Sequence, residues 1–198
     1  MLNLGRADGS LMDYLAALPA AAGGRLTEAD TARVLRQVFP VLEALRRLSL
    51  SHRDLKPENI LWFRPPAHTK QKPVFKLCDF GVHRALMSNR MDGTYLYRPV
   101  EAHTWIKGQQ DVDGEKADVY ALGMILSHLM TGAVDVFGAK TGAARWTQAG
   151  TGLAARPPGT PPLPSQRAIE IVRACIQPHP DNRPNLQELK AHNFYRTA

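Results

Sequence analysis

The octapeptide "HRDLKPEN", His52–Asn59, is the most informative stretch of this 198-residue chain. It places charged and amide side chains directly before an apolar run that begins at Ile60. Asp54 can accept a proton from an attacking hydroxyl, and Lys56 can put a positive charge beside that carboxylate. Asn59 supplies an uncharged oxygen of the kind that binds hard cations such as Mg²⁺. The stretch therefore predicts a site for polyphosphate chemistry.

A second acidic residue, Asp79, lies at the end of "VFKLCDF". This segment and the earlier "NILWF" are both strand candidates, and the turn-rich insert "RPPAHTKQKP" separates them. The two strands can pair as a hairpin, which would bring Asn59 and Asp79 to one site as oxygen ligands of the same metal. Phe80 then offers an apolar anchor, and Gly81 a flexible point at the start of a long irregular loop that reaches Glu101.

Helical patterns dominate the rest of the chain. Apolar residues recur at helical spacing after a capping box formed by Thr27 and Asp30, and Pro40 predicts a kink or a local adjustment in that helix. "DVYALGMILSHLMTG", residues 118–132, is apolar nearly all round and ends in glycine, which predicts a buried central helix. Two later helices are predicted, with Ser165 and Asn185 as their caps. A proline-rich stretch, "GTGLAARPPGTPPLP", predicts a loop between residues 150 and 164.

Composition excludes several classes of protein. Hydrophobic residues make up 44% of the chain, which is enough for a packed core, and we expect one domain over residues 1–198. Cys78 and Cys175 have no disulfide or metal-ligand spacing, and neither a secretory signal nor a membrane-length apolar run is visible. We therefore expect an intracellular, cytoplasmic protein without a membrane partner. The net charge of +7 comes from scattered residues, so a nucleic-acid binder lacks support, and a site for polyanionic phosphates also explains the charge.

"HRDLKPEN" followed by "DFG" resembles the catalytic and metal-binding loops of the eukaryotic protein kinases. "GTYLYRPVE" is similar to the end of a kinase activation segment, and "DVYALGMIL" to the central helix of the large lobe. "GSLMDYL" resembles the helix after the hinge, and "HPDNRPNLQELKAHNF" the final helices. The resemblance covers nearly the whole chain and implies a large, C-terminal lobe that is mostly α with a small β-hairpin.

The resemblance also implies roles for individual residues, with ATP and Mg²⁺ as cofactors and a protein as substrate. Those implied in catalysis are Asp54, Lys56 and Thr94, and the last two favour serine/threonine over tyrosine specificity. Those implied in cofactor binding are Leu61 under adenine, Lys56 at the transferred phosphoryl group, and Asn59 and Asp79 at Mg²⁺. Structural roles fall to His52, Phe80, Glu101, Asp118 and Arg183. Regulatory roles fall to Arg53, as a phosphate sensor, and Ser88, as its phosphorylated partner.

Some departures from the family pattern weaken the functional implication. No G-x-G-x-x-G loop and no lysine-bearing "VAIK" strand occur in the chain, so we expect the small N-terminal lobe to be absent. Pro99-Val100 replaces the usual alanine-proline pair. We therefore expect weak or no phosphoryl transfer by this polypeptide alone. The chain could be a fragment of a longer kinase, require a partner chain, or be an inactive relic. A rival hypothesis is a non-catalytic lobe that docks a partner protein.

Overall fold

The computed structural model describes residues 6–80, 84–85, 87–88, 95–103, 112–132 and 164–197. The helices in this part of the chain are α1 (Leu11–Ala16), α2 (Glu28–Arg47), α3 (Val100–His103), α4 (Gly114–Thr131), α5 (Gln166–Cys175), α6 (Leu186–Ala191) and α7 (Asn193–Thr197). The strands are β1 (Gly9–Ser10), β2 (Leu50–Ser51), β3 (Ile60–Phe63), β4 (Val74–Leu77), β5 (Arg84–Ala85), β6 (Met87–Ser88) and β7 (Val112–Asp113). The fold is mostly helical with small sheets, which confirms the predicted class.

Strands β3 and β4 form the predicted hairpin. They pair antiparallel, with Ile60 opposite Leu77 and Phe63 opposite Val74. The strand β1 adds to the other edge of β3, so that the sheet has three strands in the order β1-β3-β4. Strand β1 was not predicted from the sequence, because a strand of two residues is too short to show alternation. The hairpin prediction is confirmed.

The long helix α2 begins where the cap was predicted. The Thr27 side chain accepts a hydrogen bond from the backbone N–H of Asp30, which satisfies one of the free N–H groups of the first turn. The helix continues through Pro40, whose side chain is exposed. Its buried face carries Val34, Leu35, Val38, Phe39 and Leu42. This face packs α2 against the centre of the lobe.

Helix α4 is the buried centre of the fold. Its residues from Ala117 to Met130 are all buried, and Gly132 ends it with a φ of 75°, a conformation that glycine adopts without a steric penalty. A Cβ atom at Gly123 would lie 2.5 Å from Cβ of Cys175 on α5. Helices α4 and α5 can therefore approach closely only because residue 123 has no side chain. The prediction of a buried central helix that glycine terminates is confirmed.

The caps of the last helices are also as predicted. Ser165 caps α5 by accepting from Ala168 N, and Asn185 forms a reciprocal capping box with Glu188 at the start of α6.

The described part of the chain contains no helix that is long and apolar enough to cross a membrane.

One prediction was wrong for the residues that the structure describes. The stretch from Gly81 to Glu101 was predicted as irregular loop, but it contains the short strands β5 and β6. Strand β5 pairs with β2, and β6 pairs with β7. Their partners are distant in sequence, so no local pattern could reveal the pairing. The loop predicted over residues 150–163 lies outside the described residues.

Candidate active site

A buried carboxylate holds the start of the octapeptide in place. Asp118, in α4, accepts hydrogen bonds from the backbone N–H groups of His52 and Arg53, each at 2.7 Å. Burial raises the pKa of Asp118 to about 7. The two hydrogen bonds and the charge of Arg53 lower the pKa, but burial has the larger effect. The central helix thus fixes the backbone directly before Asp54.

His52 is fully buried and packs as a structural side chain. Its Nε2 lies 3.0 Å from the carbonyl oxygen of Cys78, and its ring meets the Phe80 ring edge-on at 5.5 Å between centroids. These contacts connect the octapeptide to the segment that carries Asp79. They support the interpretation of His52 as a core histidine rather than an acid or base.

Arg53 has a left-handed backbone conformation, with a φ of 65°, which is uncommon for a residue other than glycine. Its buried guanidinium donates to Ser51 Oγ and to the carbonyl oxygen of Val112, each at 3.0 Å. The side chain therefore connects the octapeptide to strand β7. The phosphate-sensing role implied by the resemblance stays a prediction.

Three polar side chains of the octapeptide converge. Asp54 Oδ2 lies 3.0 Å from Nζ of Lys56 and accepts from Nδ2 of Asn59 at 3.1 Å. Asn59 Nδ2 also donates to the backbone carbonyl of Asp54 at 2.8 Å. The backbone turns at the 3₁₀ helix Pro57–Asn59, and this turn brings the three groups together. The result is a carboxylate with an ammonium on one side and an amide on the other.

The hairpin brings the second acidic residue to the same end of the sheet. The N–H of Cys78 donates to the carbonyl oxygen of Asn59 at 2.9 Å, so Asp79 follows a residue that is directly paired with Asn59. Asp79 is exposed and has a φ of 62°, a strained conformation for a non-glycine residue. The Cys78 thiol has a raised pKa, chiefly because of burial and also because of the Asp79 charge, and both effects disfavour the thiolate.

The donor set at this end of the hairpin fits Mg²⁺. The two bonds from Asn59 use its amide nitrogen and leave the orientation of its Oδ1 fixed, and Asp79 adds a carboxylate. Mg²⁺ characteristically takes one or two protein oxygens and completes its shell with water and substrate phosphates. No cluster of three or more His, Cys, Asp and Glu side chains suited to a metal occurs in the described residues.

Leu61 lies in the central strand β3, between Ser10 of β1 and Lys76 of β4. Its side chain is half-buried, so part of its apolar surface remains accessible. This is the property needed for the floor of an adenine site, the role that the resemblance implies.

An ion pair between a buried arginine and a half-buried glutamate anchors the segment around α3. The fully buried guanidinium of Arg183 donates to Glu101 Oε1 at 2.6 Å and to Oε2 at 2.7 Å. It also donates to the carbonyl oxygens of Gln177, Pro178 and Lys116, at 2.7 Å, 3.0 Å and 3.2 Å. The predicted pairing of Glu101 with Arg183 is therefore present in the structure, and it stands on α3 and the turn before α6.

Two residues of the predicted site fall partly or wholly outside the described structure. Thr94 lies outside the described residues. Ser88 is described only through its backbone, which pairs with Val112 in the β6–β7 ladder. Their predicted roles stay predictions.

A polar contact between the segment before α3 and the central helix α4 was not predicted from the sequence. Tyr97 and His128 are both buried, and the Tyr97 hydroxyl lies 3.2 Å from Nδ1 of His128. Burial lowers the pKa of His128 below its ordinary value of about 6.5 and raises the pKa of Tyr97. A histidine within an apolar helix was the available signal, but its partner is 31 residues away.

The buried imidazole predicts a loss of stability in mild acid. Because the folded-state pKa of His128 lies below the unfolded value, its contribution is complete above pH 6.5 and is lost as pH falls through the folded value. We expect the free energy of unfolding to fall more steeply between pH 7 and pH 5 for the unsubstituted chain than for His128→Gln. Urea titrations of both proteins across this range provide the measurement, and parallel pH profiles would contradict the assignment.

Comparisons with known proteins agree on one family. A family model described as "Protein kinase domain" matches residues 4–195. The chain is 36% identical over 128 residues to the serine/threonine-protein kinase ULK1 of Homo sapiens, which covers 63% of this chain and 11% of that protein. It is 34% identical over 119 residues to the serine/threonine-protein kinase ATG1 of Debaryomyces hansenii, which covers 54% of this chain and 13% of the other. The aligned part thus spans a small fraction of each relative.

Proposed function

The chain belongs to the eukaryotic serine/threonine protein kinase family, and from this membership we propose that it carries the catalytic and metal-binding loops for Mg²⁺-dependent transfer of the ATP γ-phosphate to a protein serine or threonine. One observation carries the proposal most directly. The Asp54 carboxylate is held within hydrogen-bond distance of both Lys56 and Asn59. This is the combination of a proton acceptor, a phosphate-steadying cation and a metal ligand that phosphoryl transfer requires.

Asp54 orients the substrate hydroxyl and accepts its proton as the oxygen attacks the γ-phosphorus. The new O–P bond forms while the bond from that phosphorus to the β-phosphate oxygen breaks, and ADP leaves. Lys56, whose Nζ lies 3.0 Å from Asp54, places positive charge where phosphoryl charge accumulates. Both groups depend on the loop backbone that Asp118 fixes through two hydrogen bonds.

Asn59 and Asp79 are the side chains that would hold Mg²⁺, and Leu61 is the residue that would contact adenine from below. When bound, the metal would neutralise charge on the β- and γ-phosphates. Thr94 is proposed to bond the Asp54–Lys56 pair. Ser88 is proposed as the phosphorylated residue of the loop after Gly81, and Arg53 as the residue that senses its phosphate.

The extent of activity is part of the proposal. The 198-residue sequence contains neither a glycine-rich phosphate loop nor the strand lysine of the family, and catalysis of this reaction depends largely on positioning the phosphates. We therefore propose that this polypeptide alone transfers phosphate weakly or not at all. A measurable turnover that disappears in Asp54→Asn would contradict this part.

Nucleotide binding tests the site independently of turnover. We expect ATP with Mg²⁺ to raise the melting temperature of the chain, because a ligand at about 100 times its Kd stabilises a folded state by about 2.7 kcal/mol. Asp79→Asn should remove the part of the effect that requires Mg²⁺. Asp181→Asn, at a side chain that is 85% exposed in the turn before α6, is the control and should retain it.

The same measurement separates the two candidate functions. The non-catalytic alternative, a kinase-derived lobe that docks a partner protein, predicts no stabilisation by ATP with Mg²⁺ in any of the three proteins. Equal stabilisation of the unsubstituted chain and Asp79→Asn would instead contradict the assignment of Asp79 as a metal ligand.

A further inference from the structure

A groove of about 730 Å³ lies between α2 and the helices α6 and α7. We define this basic groove by five of its lining residues, Arg36, Glu43, Lys190, Tyr195 and Arg196. None of them belongs to the proposed catalytic, cofactor-binding or regulatory residues. The groove is therefore a separate feature of the lobe, on the helices rather than at the hairpin.

Positive charge exceeds negative charge in the basic groove. It contains three cationic side chains and one carboxylate, that of Glu43. Glu43 contacts Lys190, whose Nζ lies 3.0 Å from each carboxylate oxygen. The Lys190 side chain is half exposed in this pair, whereas the Glu43 side chain is half-buried. An ammonium group has three N–H donors, so Lys190 can bind an incoming carboxylate while it keeps its contact with Glu43.

The two arginines are available to bind an anion. Arg36 donates from Nη1 to the backbone carbonyl of Tyr195 at 3.0 Å, which holds its guanidinium at the groove and leaves other N–H groups for a ligand. Arg196 is exposed, and its guanidinium makes no ion pair with any residue in the described part of the chain. Arginine binds carboxylates in a planar, two-bond geometry.

Tyr195 gives the basic groove a fixed apolar wall. Its ring packs against the buried Phe39, with 5.0 Å between ring centroids and an interplanar angle of 55°. An aromatic ring that is held from behind can contact an apolar side chain without losing much conformational entropy. The groove thus combines carboxylate-binding arginines with a rigid apolar surface.

We propose that the basic groove docks an acidic peptide segment of a partner protein, with carboxylates at Arg36 and Arg196 and an apolar side chain against Tyr195. The open groove and its aromatic wall suit an extended segment. An anionic lipid surface is recognised by clusters of about 4–8 Lys and Arg residues, more than the three of the groove, and a nucleic acid would require a longer row of phosphate contacts. The net charge of +7 would favour encounter with an acidic partner.

Fluorescence anisotropy with a labelled peptide of alternating glutamate and leucine tests the proposal. A peptide with glutamine in place of glutamate is the probe control. The matched protein variants are Arg196→Glu in the groove and Lys72→Glu on the exposed insert outside it, since both make the same charge change. We expect a Kd about tenfold weaker for Arg196→Glu and little change for Lys72→Glu, as charge-assisted hydrogen bonds contribute roughly this factor.

Other outcomes overturn the proposal. An equal loss in both variants would show general attraction between opposite charges, and equal binding of the glutamine peptide would show that carboxylates are not recognised. Groove-dependent binding to phosphatidylserine vesicles or to single-stranded DNA, without binding to the acidic peptide, would assign the groove to a different partner. Arg36→Gln also removes the hydrogen bond to the Tyr195 carbonyl. We expect this variant to bind the peptide more weakly, and a urea unfolding transition should show that its chain is folded.

Discussion

Arg183→Ala will lower the free energy of unfolding by about 3–5 kcal/mol, because it removes the fully buried guanidinium that pairs with the half-buried Glu101 carboxylate. The Arg183 side chain is fully buried and satisfies both oxygens of Glu101 together with three backbone carbonyls. Its guanidinium also lies 4.9 Å from the centre of the Tyr120 ring on the central helix. One substitution thus breaks contacts among α3, α4 and the turn before α6.

Urea unfolding provides the measurement, with the midpoint and the slope both recorded to separate stability from a change in the unfolded state. Lys190→Ala is the matched control, because it breaks a pair with Glu43 in which the lysine side chain is half exposed, and a loss of about 0–1 kcal/mol is expected. Glu101→Gln should also be strongly destabilising, since it leaves the Arg183 charge buried. Losses of similar size in Arg183→Ala and Lys190→Ala would refute the structural importance of the buried pair.

Asp118→Ala is expected to lower the free energy of unfolding by about 2–6 kcal/mol, since two buried backbone N–H groups lose their acceptor and each costs about 1–3 kcal/mol. These groups belong to His52 and Arg53, directly before the proposed catalytic carboxylate. Asp113→Ala, which removes the cap of the same helix, is the control, and a loss of about 1 kcal/mol is expected for it.

The pH dependence of this difference has a definite sign. Because the pKa of Asp118 is raised to about 7 in the folded protein, its contribution is complete below pH 3.8 and is lost as pH rises through about 7. The stability gap between the unsubstituted chain and Asp118→Ala should therefore be larger at pH 5 than at pH 8. A gap that widens towards pH 8 would show that the folded carboxylate has a lowered pKa instead.

Much of the architecture was predictable because its signals are local. The caps at Thr27, Ser165 and Asn185 are short polar side chains that bond backbone N–H groups three residues later. The central helix was recognisable because a helix that is apolar on every face must be buried. The hairpin followed from two strand-like segments on either side of a turn-rich insert.

The candidate site was predictable to the same degree, because "HRDLKPEN" places its proton acceptor, its cation and its amide only a few positions apart in the sequence. The structure adds their distances, with Lys56 and Asn59 both in contact with Asp54. It also adds the strained φ values at Arg53 and Asp79. No propensity predicts these values, since the surrounding fold imposes them.

The amino-acid sequence by itself determined the longer helices α2, α4 and α5, the hairpin and the order of the chemical groups, because each depends on residues only a few positions apart. Tertiary structure alone decided the contacts between distant segments: the β5 and β6 pairings, the Val112 carbonyl that receives Arg53, the Tyr97–His128 contact and the basic groove. The physical reason is that these contacts join backbone groups and side chains that have no periodic relation along the chain. The packing of the buried faces of α2, α4 and α5 sets where the intervening segments can lie.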